Sequence, residues 1–180
     1  MRRAKPAGTR RRNARRTPRG IRVRRITSAD RAMWVQLRHA LWPHDSLEEL
    51  ARDARKLLRT ERGGEFRRST MRATVFVAEL PSGRLAGFAE FDQRPIADGC
   101  RTSPVGYLEG WYVLPKYRRR GVGSALVRAG ERWARAHGCT EMASDAHLEN
   151  EVSRKAHRSL GFREMEELVH FHRPLNGPRS

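Results

Sequence analysis

Three arginines and two glycines stand together in Arg118-Arg119-Arg120-Gly121-Val122-Gly123. They follow a strand-like run, Tyr107 to Val113, and precede a helical pattern that begins near Ser124. A strand, a turn rich in Arg and Gly, and a helix N-terminus together aim backbone N–H groups at an anion. Gly121 and Gly123 let the backbone come close, with no Cβ in the way. The arginines add charge. The predicted chemistry is a diphosphate cradle, which makes the chain a candidate coenzyme-using enzyme. The competing reading is a basic turn that only caps a helix. No Gly-Lys-Ser/Thr follows, so this is not a nucleoside triphosphate loop. The third glycine of a dinucleotide fingerprint is also missing.

Two acids sit where chemistry is expected. Glu109 lies between Leu108 and Trp111 on the strand before the loop, and Asp145 ends a short strand, Glu141 to Ser144. If these strands run parallel, their C-terminal ends face one crevice. Carboxylates there bind cations and remove protons. That matters for an amine nucleophile, because a lysine-like pKa of about 10.4 leaves only a few parts in ten thousand neutral at pH 7. A buried pair also raises at least one carboxyl towards neutrality. Ordinary acids at strand ends are the alternative. No His, Asp or Glu set has metal spacing. No Ser or Cys stands in a nucleophile elbow. A covalent enzyme intermediate is therefore not expected.

The elements that must position these groups follow from periodicity and caps. Ile21 to Ile26 alternates as a strand. Ser28 is placed to cap a helix to Leu41, which Trp42-Pro43 ends. Ser46 and Glu49 form a capping box for a helix to Arg59. Glu61 to Arg72 reads as a polar loop. Thr74–Glu79 and Leu85–Phe91 pair across the Pro81-Ser82-Gly83 turn. Pro95 to Gly106 is a loop. After the glycine loop come a helix to His137, the Glu141 strand, a helix from Asn150 closed by Gly161, and a last strand from Phe162 to His172. The order β-α-α-β-β-β-α-β-α-β predicts an α/β (α+β) fold, a mixed, mostly antiparallel sheet flanked by helices.

This order, with Arg/Gln-x-x-Gly-x-Gly/Ala after the fourth strand, resembles the GNAT N-acyltransferase superfamily. Asn150…Ala156…Gly161-Phe162, spaced Asn-x5-Ala-x4-Gly-Phe, is similar to its Asn…Ala…Gly-Phe signature. Four further strings resemble one branch, the aminoglycoside 6′-N-acetyltransferases. They are Leu41-Trp42-Pro43, the Asp98–Val105 loop, Leu108-Glu109-Gly110 with Val113-Leu114-Pro115, and Glu141-Met142-Ala143-Ser144-Asp145. The resemblance covers about residues 21–172. It implies acetyl-CoA as cosubstrate, direct acyl transfer in a ternary complex, an aminoglycoside as acceptor at its 6′-amine, and a homodimer. Trp42 and His44 would line the antibiotic pocket. Glu109, Asp145 and Glu166 would hold the drug. Trp111, Tyr112 and Val113 would meet the acetyl and pantetheine arm, residues Arg119 to Ser124 the pyrophosphate, and Asn150 the coenzyme. Three positions depart from the branch. His44 is shifted by one residue after Trp-Pro. Ile96 replaces a pocket tyrosine. His157 falls where many members place the tyrosine that protonates the leaving thiolate. His157 is thus either that acid or a packed histidine. Another amine (a polyamine, an amino sugar or a protein N-terminus) is the alternative acceptor.

Composition bounds the rest. The chain has 180 residues, room for one domain with a core, read as 21–175 with a short tail at 176–180. Of the net charge of +18, nine positive charges and no acid fall in residues 1–20. That Arg-rich tail is expected to be disordered and has no apolar stretch for an export signal. It suits non-specific nucleic-acid contact through phosphates, but interleaves no aromatic residue for base stacking. A merely solvated extension is the alternative. Residues 141–167 hold seven acids, so a locally negative cleft is compatible with a basic body. No apolar run approaches membrane-spanning length. Cys100 and Cys139 fit no disulfide framework, and a reducing cytoplasm is expected.

Overall fold

The computed structural model describes residues 20–59, 65–68, 71–165, 167, 169 and 171–174. The basic tail therefore lies outside the described residues, as does Glu166. In chain order the elements are β1 (Arg22–Arg25), α1 (Arg31–Leu41), α2 (Leu47–Arg59), β2 (Glu65–Arg68), β3 (Met71–Glu79), β4 (Leu85–Arg94), β5 (Val105–Val113), α3 (Val122–Ala136), β6 (Met142–Ser144) and α4 (Glu151–Leu160). The strands form one sheet in the order β1-β3-β4-β5-β6, with β2 beside β1 along the same edge of β3. Every pairing is antiparallel except β5 with β6.

Side chains alternate across β3 and β4, so the sheet buries both faces. Val75, Val77 and Phe88 join Trp34, Leu37 and Leu50 under α1 and α2. Phe76, Ala78, Ala89 and Phe91 join Val122, Leu126, Val127 and Trp133 of α3. Gly130 is where α3 comes closest, since a Cβ there would meet three Phe91 ring atoms at 2.1–2.4 Å.

Local signals carry most element starts. The Ser46–Glu49 box forms, with Glu49 N to Ser46 Oγ at 3.1 Å and Ser46 Oγ to Glu49 Oε2 at 2.8 Å. Asn150 Oδ1 accepts from Ser153 N at 3.0 Å, and Gly161 closes α4 in the left-handed region. Two starts move. A 3₁₀ turn, Ser28–Asp30, leads into α1, and it is capped by Thr27 rather than Ser28. Thr27 donates N–H and Oγ1–H to Asp30 Oδ2, which Arg24 Nη1 also holds at 2.7 Å. The α3 helix begins at Val122, two residues before Ser124.

Two larger expectations are corrected. Glu65–Arg68, read as loop, is strand β2. Its only large apolar side chain is Phe66, so alternation is faint. The pairing is fixed instead by Glu65, which meets Arg25 Nη2 at 2.9 Å, Arg72 Nη1 at 3.2 Å, Trp133 Nε1 at 3.2 Å and His137 Nε2 at 3.3 Å. Conversely, the described residues of Phe162–His172 form no strand. Val169 and Phe171 are 76% and 94% exposed, so their face gains no burial from a ladder, and Glu166, Leu168 and His170 lie outside the described residues.

Candidate active site

Strand β5 carries a β-bulge where chemistry was expected. Glu90 pairs with Gly110 and Phe91 with Leu108, which leaves Glu109 as the extra residue. Strict alternation would put Glu109 on the opposite side from Leu108. Leu108 packs under α3, as Trp111 does beyond the bulge. Alternation thus gives Glu109 to the α1 side, with Tyr107 and Arg94, and the extra residue resets the phase beyond it, so that Trp111 returns to the α3 side. Gly110 completes the bulge. A Cβ there would stand 2.6 Å from Trp42 Cη2, so the glycine lets the indole lie against the strand. Trp42 is thus both packing and wall, tilted against Phe88 at 6.3 Å.

Glu109 and Asp145 are linked through two companions, Arg94 and Tyr107. Arg94 donates Nε and Nη2 to Glu109 Oε1 at 3.0 and 2.8 Å, and Nη2 to Oε2 at 2.8 Å. Its guanidinium carbon lies 3.3 Å from the Tyr107 ring centroid. The Tyr107 hydroxyl donates to Asp145 Oδ1 at 2.8 Å. One cluster therefore joins Glu109, Arg94, Tyr107 and Asp145. Burial and then the Asp145 carboxylate push the Tyr107 hydroxyl well above its ordinary pKa. Burial alone would lower the pKa of Arg94, but the bonds to Glu109 outweigh it and raise it. His44 stands exposed on the turn after Pro43, with no hydrogen bond or ion pair tying it to this cluster. Ile96 is 80% exposed.

The parallel strands part immediately beyond. Pairing of β5 with β6 ends at Leu108 with Ser144. Past it, the edge of β5 from Glu109 to Val113 has no strand neighbour on that side among the described residues. Ser144 Oγ donates to Leu108 O at 2.9 Å. His157 reaches in from α4, with Nε2 3.0 Å from Ser144 Oγ and Nδ1 2.9 Å from Ser153 O. Because the Ser144 proton is committed to Leu108 O, its oxygen accepts from Nε2–H. A carbonyl also requires a donor at Nδ1, so the imidazolium satisfies both contacts. The neutral ring is served by Ser153 Oγ, which lies 3.3 Å from Nδ1. Either protonation state has partners. The ring is packed edge-on to Trp111 at 5.7 Å and to Phe162 at 5.3 Å. His157 is therefore packed and also bridges the split.

The glycine loop closes the other end. Arg119 has φ 58° and Gly121 φ 84°, both left-handed. The α3 helix then starts with no side-chain cap, so the N–H groups of Val122, Gly123 and Ser124 lack intrahelical acceptors. A Cβ on Gly123 would lie 2.5 Å from Trp111 Cζ2, so the first turn of α3 rests on the indole. Trp111 Nε1 is buried without a partner. Arg118 braces the turn by donating Nε to Val113 O at 2.8 Å, whereas Arg119 and Arg120 are exposed. Open N–H groups beside two exposed arginines fit a diphosphate, and the unpaired β5 edge fits an extended amide-bearing arm.

Sequence reasoning missed Arg94, Tyr107, Ser144 and Ser153. Tyr107 was within reach, two residues before Glu109 on a strand. It also missed Glu141, whose Oε2 accepts from Arg101 N, Thr102 N and Thr102 Oγ1 at 2.8, 2.7 and 2.6 Å, tying the 97–104 loop to β6. Among the described residues no group of three or more His, Cys, Asp or Glu is placed to hold a metal. No helix there is long and apolar enough to cross a membrane.

A mixed sheet split between two parallel strands, with a glycine loop and a helix N-terminus at the split, defines an acyltransferase-type α/β fold. Comparison narrows this. The Acetyltransferase (GNAT) family matches residues 32–162, and the chain belongs to that family. The aminoglycoside N(6′)-acetyltransferase type 1 of Klebsiella aerogenes is 42% identical over 153 residues, spanning 85% of this chain and 96% of the relative. Its namesake from Stenotrophomonas maltophilia is 41% identical over 156 residues, spanning 85% and 93%. Among solved structures, AAC(6′)-Iy in complex with the bisubstrate analogue CoA-S-monomethyl-acetylneamine superposes with a TM-score of 0.74 at 34% identity, covering 86% of this chain and 98% of that one. AAC(6′)-Ih from Acinetobacter baumannii gives 0.76 at 33% identity, covering 87% and 100%.

Proposed function

We propose that this chain is an aminoglycoside 6′-N-acetyltransferase, which moves the acetyl group of acetyl-CoA onto the drug's 6′-amine by direct attack in a ternary complex. The observation that carries the reading is the joining of Glu109 and Asp145, through Arg94 and Tyr107, beside the opening between β5 and β6. Relatives of this name and a bisubstrate-bound structural neighbour support it. Bound acetyl-CoA supplies an activated thioester. The N–H groups of Val122, Gly123 and Ser124, with Arg119 and Arg120, hold its pyrophosphate. Trp111, Tyr112 and Val113 line its arm. Arg118 works mainly as the brace of that turn, and Asn150 mainly as the cap of α4.

Glu109 and Asp145 bind ammonium groups of the drug, against the wall formed by Trp42. One of them takes the proton from the attacking nitrogen, directly or through water. That step is needed because an ammonium has no lone pair. His157 delivers a proton from Nε2 towards the leaving sulfur, and Ser144 and Ser153 hold its ring in either protonation state. Glu166 and His44 are further candidates for drug contact.

Glu109→Gln tests the reading. It is expected to lower kcat/KM for the drug by about 10²–10⁴-fold, the range of a lost acid–base group. Coenzyme affinity should hold. Unchanged turnover would remove Glu109 from the site. Mass spectrometry separates a 6′-amine acceptor from other amines, because a 6′-hydroxyl analogue should remain unacetylated at that position.

The same reading makes the protein a resistance enzyme of the cytoplasm. The exposed Val169 and Phe171 favour a homodimer that covers the C-terminal segment. The nine positive charges of residues 1–20 suit weak polyanion contact, including nucleic acid.

A further inference from the structure

Glu109 is offered above as an anchor for the substrate's ammonium, yet a cation already occupies it. The Arg94 guanidinium spans both Glu109 oxygens at 2.8 Å and lies flat on Tyr107, whose hydroxyl holds Asp145. Arg94 is 40% exposed while its partner Glu109 is 16% exposed, so the arginine approaches the acid from the solvent side. It is the last residue of β4, next to Pro95 and an exposed loop, with a long stem free to swing.

We propose that Arg94 is a resident counter-cation of the acceptor site, which the incoming polycation displaces from Glu109. Three features support this. The guanidinium satisfies the two acid oxygens an ammonium would use. The cluster holds Glu109, Asp145 and one arginine, with Asp92 a third carboxylate acting on Arg94, so negative charge remains to attract a cation. Tyr107 gives the guanidinium a second surface on which to rest, through its ring face. Arg94 thus keeps a half-buried acid paired when the site is empty and sets a threshold that a singly charged amine meets less well than a polycation. It is a specificity residue, and this role rests on the reading of Glu109 as the ammonium site.

The test uses calorimetric titration of kanamycin into the full chain saturated with coenzyme A. Arg94→Met removes the charge but keeps a stem over Tyr107. It should tighten kanamycin binding about threefold to tenfold, the size of a partly exposed ion pair that no longer competes. The gain should appear in KM rather than kcat. It should be smaller for a monoamine such as glucosamine, so discrimination between the two changes. Arg94→Lys restores a competing charge and should return the dissociation constant towards the parent value. Weaker kanamycin binding by Arg94→Met, or equal tightening by Arg94→Lys, would overturn the proposal. Glu109→Gln distinguishes the failures. If it weakens kanamycin binding while Arg94→Met does not tighten it, only the counter-cation role falls. If Glu109→Gln leaves binding unchanged, both readings fall.

Discussion

Glu90→Gln should damage both the fold and the drug site. Glu90 and Arg38 are an ion pair with side chains only 3% and 8% exposed, Arg38 Nε lying 3.0 Å from Glu90 Oε1. The Nε–H is not aimed at an acceptor, so the contact is ionic more than a directed hydrogen bond. Trp34 Nε1 donates to the same oxygen at 3.1 Å, and Arg38 Nη1 reaches Leu50 O only at 3.4 Å. A glutamine can still accept from Trp34, so the loss comes from leaving a buried guanidinium without its counter-charge. Such a loss is worth about 3–5 kcal/mol. At about 2–4 °C per kcal/mol for a chain of this size, the melting temperature should fall by about 6–20 °C. Arg38 also lies 5.2 Å from the Trp42 ring centroid, and Glu90 pairs with Gly110 under that indole. A loosened Arg38 therefore shifts the pocket wall, and KM for the drug should rise while coenzyme affinity holds. Urea and thermal unfolding read the first effect, and steady-state kinetics the second. Replacing both partners, as Arg38→Met with Glu90→Leu, should recover most of the stability. A loss below about 1 kcal/mol in Glu90→Gln, the value of an exposed pair, would refute the argument from burial.

Gly123→Ala places a methyl 2.5 Å from a packed indole ring, and overpacking of this kind costs about 1–3 kcal/mol. Coenzyme A titration should show binding weakened by about fivefold to a hundredfold, whereas unchanged affinity would place the pyrophosphate elsewhere. The acid limb of stability should follow the paired carboxylates. Burial alone would raise the carboxyls of Asp30 and Glu65. Arg24 and Thr27 outweigh it for Asp30, as His137 and Arg25 do for Glu65, and both lie below their ordinary pKa. Groups depressed by folding stabilise above their unfolded pKa and lose that contribution as pH falls through the folded value. Their share of the unfolding free energy should be full near neutrality and drop below about pH 4. Asp30→Asn should flatten that limb, and an unaltered acid profile would remove the Arg24–Asp30 pair from its cause.

Much of the architecture was legible because its signals act within a few residues. Ser46 with Glu49, Asn150 with Ser153, and Gly161 are caps, and each occurs where its local chemistry places it. The Arg118–Gly123 turn is similarly local, since positive φ at Gly121 and open N–H groups at Val122 and Gly123 need no distant partner. The β2 strand was illegible because its anchor, Glu65, draws on Arg25, Trp133 and His137, all remote in sequence.

The chain alone thus determined the sheet-and-helix order around the loop, its anion-facing geometry and the presence of acids at two strand ends. Tertiary structure decided what those acids face. Alternation along β5 turns Glu109 to the side of Arg94 and Tyr107, and the extra residue there returns Trp111 to the α3 side, where it meets the first turn of α3. Which arginine neutralises it, which tyrosine holds Asp145 and which serine holds His157 are matters of pairing between strands. Residue types specify charges and donors, but only the fold brings groups some 15 to 38 positions apart, such as Arg94 with Glu109 and Tyr107 with Asp145, within hydrogen-bond reach.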